Sequence, residues 1–277
     1  MPDIQLILTD LDGTLLLKDH ASISPRTRAA LLAAKTQGVK LCICTGRCLG
    51  LLPPAVLEPG LFDYAITSNG GACMDLHTEQ DVFTMPLSAE KAALAWSILQ
   101  PMDLMVEWFV NNGLLLDRHN YSRWRERVRA PWHVTYLEAG RATVVEQIED
   151  FFAQGAPKLE KISVMHISRT EMERLVPQLD ATGAFTWPGS LGDNLEITDR
   201  ETTKAAGMLR LCQELGLSTA QSLAFGDGWN DVPMLTQAGI GVAMANSQPQ
   251  ALAAADFVTC SNMEDGVGVY IEDHVLR

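Results

Sequence analysis

Two carboxylates separated by one residue, Asp10 and Asp12, lie in the segment DLDGT directly after a short apolar run. Ligands of open α/β sheets bind just beyond the carboxyl ends of the strands, so a pair at a strand exit faces a ligand crevice. There Asp10 can act as a nucleophile that forms an acyl-phosphate and as a metal ligand, whereas Asp12 can donate or accept a proton. Gly13 permits the backbone conformation of the turn. The alternative is a turn that merely favours Asp and Gly.

Three further segments carry groups that suit phosphate chemistry, and each follows a predicted strand or begins a predicted helix. In the segment TGR, the Thr45 hydroxyl and the amides around Gly46 are candidates to hold phosphate oxygens. Lys204 lies near a helix start, where the helix dipole disfavours a cation, which suggests a role in neutralising phosphate. Asp227 and Asp231 of GDGWND are hard oxygen ligands that suit Mg²⁺. The alternatives for the single segments are an ordinary strand exit for TGR, a solvated surface lysine for Lys204 and a polar loop for GDGWND.

The combination of the four segments decides between these interpretations. Together they supply a nucleophile, an acid, a cation and metal-binding carboxylates, which is the set that phosphoryl transfer requires. Phosphate monoester hydrolysis has one of the highest uncatalysed barriers, and enzymes accelerate it by up to ~10²¹-fold. We therefore predict that the four segments converge in one crevice of one sheet.

The elements that must position these segments alternate between strand and helix at both ends of the chain. Apolar runs predict strands at 4–9, 39–44, 64–67, 222–225, 240–244 and 256–259. Ser24 and Pro25 are typical of an N-cap and a first helical residue, with Gly38 as the stop, and a later helix ends at Gly216. Strands joined by helices predict an α/β fold with a doubly wound parallel sheet.

The middle of the chain has a different pattern, which predicts a separate α+β unit at 85–189 inserted into a core of 1–84 and 190–277. Strands at 104–110 and 113–116 are expected to pair across Asn111 and Asn112, a turn-type dipeptide. Further elements are helices at 87–99, 121–128 and 170–179 and a strand at 161–167. Trp108 is interpreted as a core residue, and the arginines of 118–129 are interpreted as a solvated basic face. For both, the alternative is contact with the substrate.

Composition limits the class of partner. The chain has 277 residues, a formal net charge of -13 and 47% hydrophobic residues. Duplex nucleic acid and anionic lipid reward basic surfaces, so neither is expected as a partner. No apolar run is long enough to span a membrane, and the N-terminal segment has no signal-peptide pattern. The six cysteines show no metal-ligand spacing, which favours reduced thiols in a cytoplasmic protein.

The four motifs, in this order, closely resemble those of the haloacid dehalogenase (HAD) superfamily. The large insertion and GDGxND resemble the Cof-type branch, subfamily IIB, with a C2B-type cap domain. The resemblance extends over essentially the whole chain through SNGG at 68–71, VAMAN at 242–246 and EDGVG at 264–268. It departs only in small ways, such as alanine after Lys204 where glycine is common.

The resemblance implies a role for each matching residue. Asp10 is the nucleophile with its carboxylate on Mg²⁺, and Asp12 is the acid and base with its backbone carbonyl on the metal. Asp227 is the third protein ligand, and Asp231 lies on the metal or close to it. The residues implied at the transferring phosphate or near it are Thr45, Lys204, Asn230, Asn69 and Asn246.

The resulting expectation is a Mg²⁺-dependent phosphatase that hydrolyses a small phosphorylated metabolite, such as a sugar phosphate, through an aspartyl-phosphate. The acid at position 12 favours phosphate esters over halides, because an alkoxide needs a proton to leave and a halide does not. The alternatives are a phosphomutase of the same superfamily and a metabolite-binding regulatory protein with a relic site. The inserted cap is expected to select the substrate, and the protein to be a monomer or weak homodimer.

Overall fold

A computed structural model describes residues 3–155, 158–187, 189–190 and 194–276. The chain forms two compact units: Met1–Arg47, Leu52–Phe83 and Lys204–Arg277 make up the first, and Cys48–Leu51 and Thr84–Thr203 make up the second. The second unit therefore runs beyond the expected boundary at 189, and the residues at 188 and 191–193 beside that boundary lie outside the described part. The second unit also includes the short segment Cys48–Leu51, which follows the TGR motif.

Strands and helices are numbered in chain order. The first part of the chain contains β1 (Leu6–Thr9), α1 (Pro25–Thr36), β2 (Lys40–Cys44), β3 (Tyr64–Thr67), β4 (Ala72–Asp75) and β5 (Gln80–Thr84). The middle contains α2 (Ala89–Leu99), β6 (Met105–Val110), β7 (Gly113–Asp117), α3 (Arg118–Arg127), α4 (Pro131–Glu138), β8 (Thr143–Val145), α5 (Ile148–Ala153), β9 (Leu159–Met165), α6 (Arg169–Thr182), β10 (Phe185–Thr186), β11 (Gly189–Ser190) and β12 (Asn194–Asp199). The last part contains α7 (Lys204–Leu215), β13 (Ser222–Gly226), α8 (Val232–Gln237), β14 (Ile240–Ala243), α9 (Pro249–Ala254), β15 (Phe257–Val258) and α10 (Gly266–His274).

The sheet of the first unit has the strand order β15-β14-β13-β1-β2-β3-β4-β5. From β15 to β3 all neighbours are parallel, which confirms the α/β fold. The sheet is not parallel throughout, because β4 runs antiparallel to β3. Only the turn at 68–71 joins these two strands, whereas a parallel connection needs a crossover of a dozen or more residues. Every residue of β1 is buried, as expected for a central strand covered on both faces.

Helix α1 begins where local chemistry predicts. The Ser24 side chain accepts a hydrogen bond from the Thr27 N–H at 3.1 Å, and Pro25 is the first helical residue. This cap satisfies one of the free N–H groups of the first turn. Gly38 follows the helix end with φ +89°, a conformation that favours glycine, so both predicted ends are confirmed.

The sheet of the second unit has the order β10-β12-β9-β6-β7-β8, with β11 beside β12. The predicted hairpin is confirmed: β6 and β7 pair antiparallel, and both turn residues, Asn111 and Asn112, have positive φ. Two-residue hairpin turns of this kind favour asparagine. Strand β12 pairs antiparallel with β9 at Ile197 and Ile162. This pairing draws residues 194–199 into the second unit and accounts for its later end.

Two apolar clusters lie against opposite faces of this sheet, since neighbouring residues of a strand point to opposite sides. Trp108 is fully buried in the cluster formed with α2, α5 and α6, which confirms it as a core residue. Phe109 belongs to the cluster formed with α3 and α4, where Trp124 and Val128 are buried. Helix α4, α5 and β8 are elements that the sequence pattern did not indicate. Within the described residues, no helix has the length and apolar character needed to cross a bilayer.

Candidate active site

The site is built on three adjacent strands of the first unit, β2, β1 and β13. Because these strands are parallel, their carboxyl ends lie at one edge of the sheet. Asp10 follows β1, Thr45 follows β2 and Asp227 follows β13. The Asp10 N–H still donates to the Phe225 carbonyl at 3.0 Å, so the nucleophile candidate is fixed to the neighbouring strand.

The two carboxylates of DLDGT diverge because the chain turns sharply between them. Residues 11–15 form one π-type turn, closed by a hydrogen bond from the Leu16 N–H to the Leu11 carbonyl at 2.9 Å. Within it Asp12 has φ -74° and ψ 120°, and Gly13 has φ +79°. The side chains of Asp10 and Asp12 consequently contact different partners.

Lys204 joins two of the predicted carboxylates. Its Nζ lies 2.7 Å from Oδ1 of Asp10 and 2.6 Å from Oδ1 of Asp231, and the side chain is fully buried. The other oxygen of Asp231 accepts hydrogen bonds from the N–H groups of Asp227 and Gly228, both at 2.9 Å. Asp231 is therefore engaged at both oxygens and fixes Lys204 relative to the loop after β13.

Asp227 completes a group of three carboxylates. Its Oδ1 accepts a hydrogen bond from the Thr14 hydroxyl at 2.7 Å. Asp10, Asp227 and Asp231 each offer one oxygen, and these three atoms lie within 4.8 Å of one another. Lys204 balances one of the three charges, so two negative charges remain. Oxygen ligands with this charge balance suit a hard divalent cation.

The charges at the site shift the pKa values of these groups. Burial raises the pKa of Asp10 well above its usual value, with Lys204 opposing and the other two carboxylates adding to the rise. Burial and the neighbouring Asp231 raise the pKa of Asp227 to about 7. Although burial opposes the charge of Lys204, Asp10 and Asp231 outweigh it and raise the pKa of that amine. A divalent cation among the carboxylates would favour their ionised forms.

Replacing Asp227 with asparagine is expected to change how stability depends on pH. A carboxyl whose pKa rises on folding, here from 3.8 to about 7, binds more protons when folded. Its stabilising contribution is therefore lost as pH rises through that range. In EDTA near pH 8, the unfolding free energy of the Asp227→Asn variant should be higher than that of the wild type. Near pH 5 this difference should be smaller by up to about 3 kcal/mol. Denaturant titrations of both proteins at the two pH values measure this difference. A difference that does not change with pH would contradict the raised pKa of Asp227.

Asp12 is held by Arg47 and His20. Arg47 Nε donates to Oδ2 of Asp12 at 2.8 Å, and Arg47 Nη2 contacts Oδ1. His20 Nδ1 lies 2.7 Å from the same Oδ1. Burial opposes ionisation of Asp12, but the hydrogen bonds from His20 and Arg47 outweigh it and lower the pKa of this carboxyl. These contacts favour the ionised form of Asp12 in the absence of substrate and fix the orientation of its carboxylate.

Sequence reasoning missed both of these partners. Arg47 is the third residue of the TGR segment, so its position carried a signal, but only Thr45 and Gly46 were assigned. His20 lies eight residues after Asp12 on a separate turn, and no spacing rule connects the two.

The remaining predicted residues lie around the same turn and strand exits. The Thr45 hydroxyl, which is buried, accepts a hydrogen bond from the Arg47 N–H at 3.2 Å. Asn230 donates to the side-chain oxygen of Asn69 at 3.1 Å, which ties the loop after β13 to the turn after β3. Asn246 donates to the Gly13 carbonyl at 2.7 Å and so supports the π-type turn.

Replacing Gly13 with alanine is expected to reduce activity by on the order of 100-fold, because a misplacement of about 1 Å at a reacting group has effects of that size. A Cβ at Gly13 would lie 2.4 Å from Oδ2 of Asp227 and would displace this carboxylate. Gly60→Ala is a matched control, since Gly60 also has positive φ but nothing lies within 4 Å of the added atom. Both variants should lose stability through strain, but only Gly13→Ala should lose activity. Equal activities of the two variants would refute the proposed clash.

The chain is similar to known proteins in both sequence and fold. A model of the haloacid dehalogenase-like hydrolases matches residues 7–271. The chain is 32% identical over 278 residues to a putative phosphatase of Bacillus subtilis (strain 168), with 98% of each chain covered. It is 30% identical over 274 residues to the 5-amino-6-(5-phospho-D-ribitylamino)uracil phosphatase of the same organism, covering 99% of this chain and 97% of that one.

Among solved structures, the chain is similar to a sugar phosphatase of HAD subclass IIB. The TM-score is 0.82 at 23% identity, with 99% of this chain and 100% of that chain covered. This similarity establishes the fold, and the family match together with the relatives establishes the class of reaction. The chain therefore belongs to the haloacid dehalogenase-like hydrolases, with the subclass IIB fold, and is a phosphoester hydrolase.

Proposed function

We propose that the protein is a Mg²⁺-dependent phosphatase that hydrolyses a small phosphorylated metabolite through an aspartyl-phosphate on Asp10. The observation that carries the proposal is the separation of the two carboxylates of DLDGT. Asp10 lies beside Lys204 and the acidic pair Asp227 and Asp231, whereas Asp12 is held by a different set of donors. This difference in surroundings supports a role as nucleophile for Asp10 and as proton carrier for Asp12.

In the proposed first step, a carboxylate oxygen of Asp10 attacks phosphorus and the ester P–O bond breaks. Asp12 enters this step in its protonated form and gives the proton to the leaving oxygen, while the phosphoryl group stays on Asp10. Lys204, at 2.7 Å from Asp10, lowers the repulsion between the nucleophile and an anionic phosphate. In the second step water gives a proton to Asp12 and attacks phosphorus, the P–O bond to Asp10 breaks, and inorganic phosphate leaves. This regenerates the Asp10 carboxylate and the protonated form of Asp12.

Mg²⁺ would be held by the Asp10 and Asp227 carboxylates and the Asp12 carbonyl, where it would offset phosphate charge. Asp231 would orient Lys204 through the contact at 2.6 Å. Thr45, Gly46 and Asn230 are proposed to bind the transferring phosphate. Asn69 and Asn246 would position this region, since they contact Asn230 and the backbone of the π-type turn.

The proposed substrate is a phosphate ester on a sugar-like chain. One relative, a 5-amino-6-(5-phospho-D-ribitylamino)uracil phosphatase, and one structural neighbour, a sugar phosphatase, are named for substrates with this chemistry. The second unit, 84–203, is proposed to select among such esters. The proposal also includes a cytoplasmic location, where buried thiols stay reduced, and a monomer or weak homodimer.

A phosphate-release screen over phosphorylated sugars, polyols and cofactors, with Mg²⁺, tests this function. We expect turnover of at least one sugar or polyol phosphate, loss of turnover in EDTA and recovery on adding Mg²⁺. Absence of phosphate release from every ester, with the folded protein and saturating Mg²⁺, would overturn the proposal. Release that requires a sugar bisphosphate would instead indicate a phosphomutase.

A further inference from the structure

His20 is held beside Asp12 by a tight turn of its own. The His20 N–H donates to the Leu17 carbonyl and the Leu17 N–H donates to the Ser22 carbonyl, both at 2.9 Å. The Asp19 carboxylate accepts the N–H groups of Ala21 and Ser22 at 3.0 and 2.9 Å. Arg47 Nη2 also donates to the His20 carbonyl at 3.2 Å. The backbone of His20 is therefore fixed by contacts that do not involve the Asp12 side chain.

The hydrogen bonds to Asp12 are distributed unequally between its two oxygens. Each carboxylate oxygen has two acceptor positions. Oδ1 is contacted by Arg47 Nη2 and by His20 Nδ1, which donates because an ionised carboxylate only accepts. Oδ2 is contacted by Arg47 Nε. Among the described residues, no second donor reaches Oδ2. The Asp12 carboxylate thus has one open acceptor position, and it lies on Oδ2.

We propose that His20 is a positioning residue that fills the second acceptor position of Oδ1, so that Asp12 exchanges protons with the substrate and with water through Oδ2 alone. This inference rests on the proposed function, because it deepens the role of Asp12 in phosphate ester hydrolysis. Arg47 alone cannot fix this choice, since its two nitrogens contact the two oxygens equally, one each. Without His20 both oxygens of Asp12 have an open acceptor position, and proton transfer is no longer restricted to Oδ2.

The expected consequence depends on the leaving group. Protonation by Asp12 matters most for a leaving oxygen that departs poorly as an anion, and general acid catalysis contributes on the order of 10² to 10⁴-fold. Phenyl phosphate and p-nitrophenyl phosphate have nearly the same shape, but p-nitrophenolate departs far more readily without a proton. The value of kcat/KM reports the first step, in which the leaving group departs. Loss of His20 should therefore affect phenyl phosphate much more than p-nitrophenyl phosphate.

The test compares three variants that differ in the donor they supply. His20 has φ +55°, which glycine and asparagine both tolerate. His20→Gly removes the donor, His20→Asn replaces Nδ1 by an amide nitrogen at the same position along the side chain, and His20→Gln places that amide one methylene further away. Thermal unfolding of each variant confirms folding. If His20→Gly is unfolded, the Asn and Gln variants make the same comparison.

With Mg²⁺ present, we expect His20→Gly and His20→Gln to lose about 10 to 100-fold in kcat/KM for phenyl phosphate but less than about 3-fold for p-nitrophenyl phosphate. His20→Asn should recover most of the loss. Equal losses on both esters, no loss on either, or no recovery in His20→Asn would overturn the inference. Wild type and Asp10→Asn are measured on these two esters and on the esters of the phosphate-release screen. A wild type that is inactive on all of them, or an active Asp10→Asn, refutes the phosphatase proposal itself, which separates the two failures.

Discussion

Replacing Asp10 with asparagine is expected to reduce phosphate release by on the order of 10⁴-fold or more, the scale seen when a nucleophile is removed. The amide keeps the shape of the side chain but is a poor nucleophile, so no acyl-phosphate forms. The variant should remain folded. Burial raises the pKa of Asp10, and together with the charges of Asp231 and Asp227 it outweighs the opposing effect of Lys204, so the ionised form is unfavourable there and asparagine removes its charge. Without metal the melting temperature should be unchanged or higher.

The matched control for this variant is Asp273→Asn, the same chemical change at an exposed position on α10. Initial rates of phosphate release with Mg²⁺, together with melting temperatures, distinguish the outcomes. The control should show wild-type rates. Turnover by Asp10→Asn within about 10-fold of the wild type would refute Asp10 as the nucleophile. A folded but inactive Asp10→Asn beside an active control supports the proposed mechanism.

Replacing Lys204 with methionine is expected to reduce both stability and activity. Methionine preserves most of the side-chain volume but leaves Asp10 and Asp231 without their buried partner. Breaking a buried ion pair in this way costs about 3 to 5 kcal/mol. The loss should be largest in EDTA at about pH 8, where the carboxylates are most ionised. Activity with saturating Mg²⁺ should still fall by about 10² to 10³-fold, because the charge aimed at the reacting phosphate is absent.

Arg26→Met is the control for this second variant. Arg26 pairs with Glu272 at 2.6 Å in the same unit, but both side chains are partly exposed. Exposed pairs contribute little, so the unfolding free energy should be almost unchanged. Denaturant titrations in EDTA and in Mg²⁺ measure both variants. Equal stability of Lys204→Met and Arg26→Met in EDTA would contradict the role assigned to the buried cluster.

The position of the site could be predicted from sequence because it depends on topology. Parallel strands end at one edge of their sheet, so Asp10 and Asp227 meet although they are far apart in the chain. The start of α1 could also be predicted, because the Ser24 cap is a local interaction. Both predictions rest on rules that need only the type of residue and its place in an element.

What could not be predicted depends on contacts between distant side chains or strands. The donors that hold Asp12 come from two turns, and their geometry follows from backbone conformation at His20 and Arg47 that no spacing encodes. The pairing of β12 with β9 is also non-local, and this moved the end of the second unit beyond 189. The antiparallel direction of β4 could be predicted only if residues 68–71 were known to form a tight turn.

The pairing of β1 with β13 has a consequence for how the chain is made. Ribosomes release chains from the N-terminus at about 5 to 20 residues per second, so the roughly 200 residues between the two strands take about 10 to 40 s to appear. During that time the edge of β1 that pairs with β13 has no partner, although β1 is mostly apolar and every one of its residues is buried in the folded protein. Unpaired edges of this kind are templates for aggregation. We therefore expect the edge of β1 to need protection in the nascent chain until β13, at Ser222–Gly226, has been synthesised.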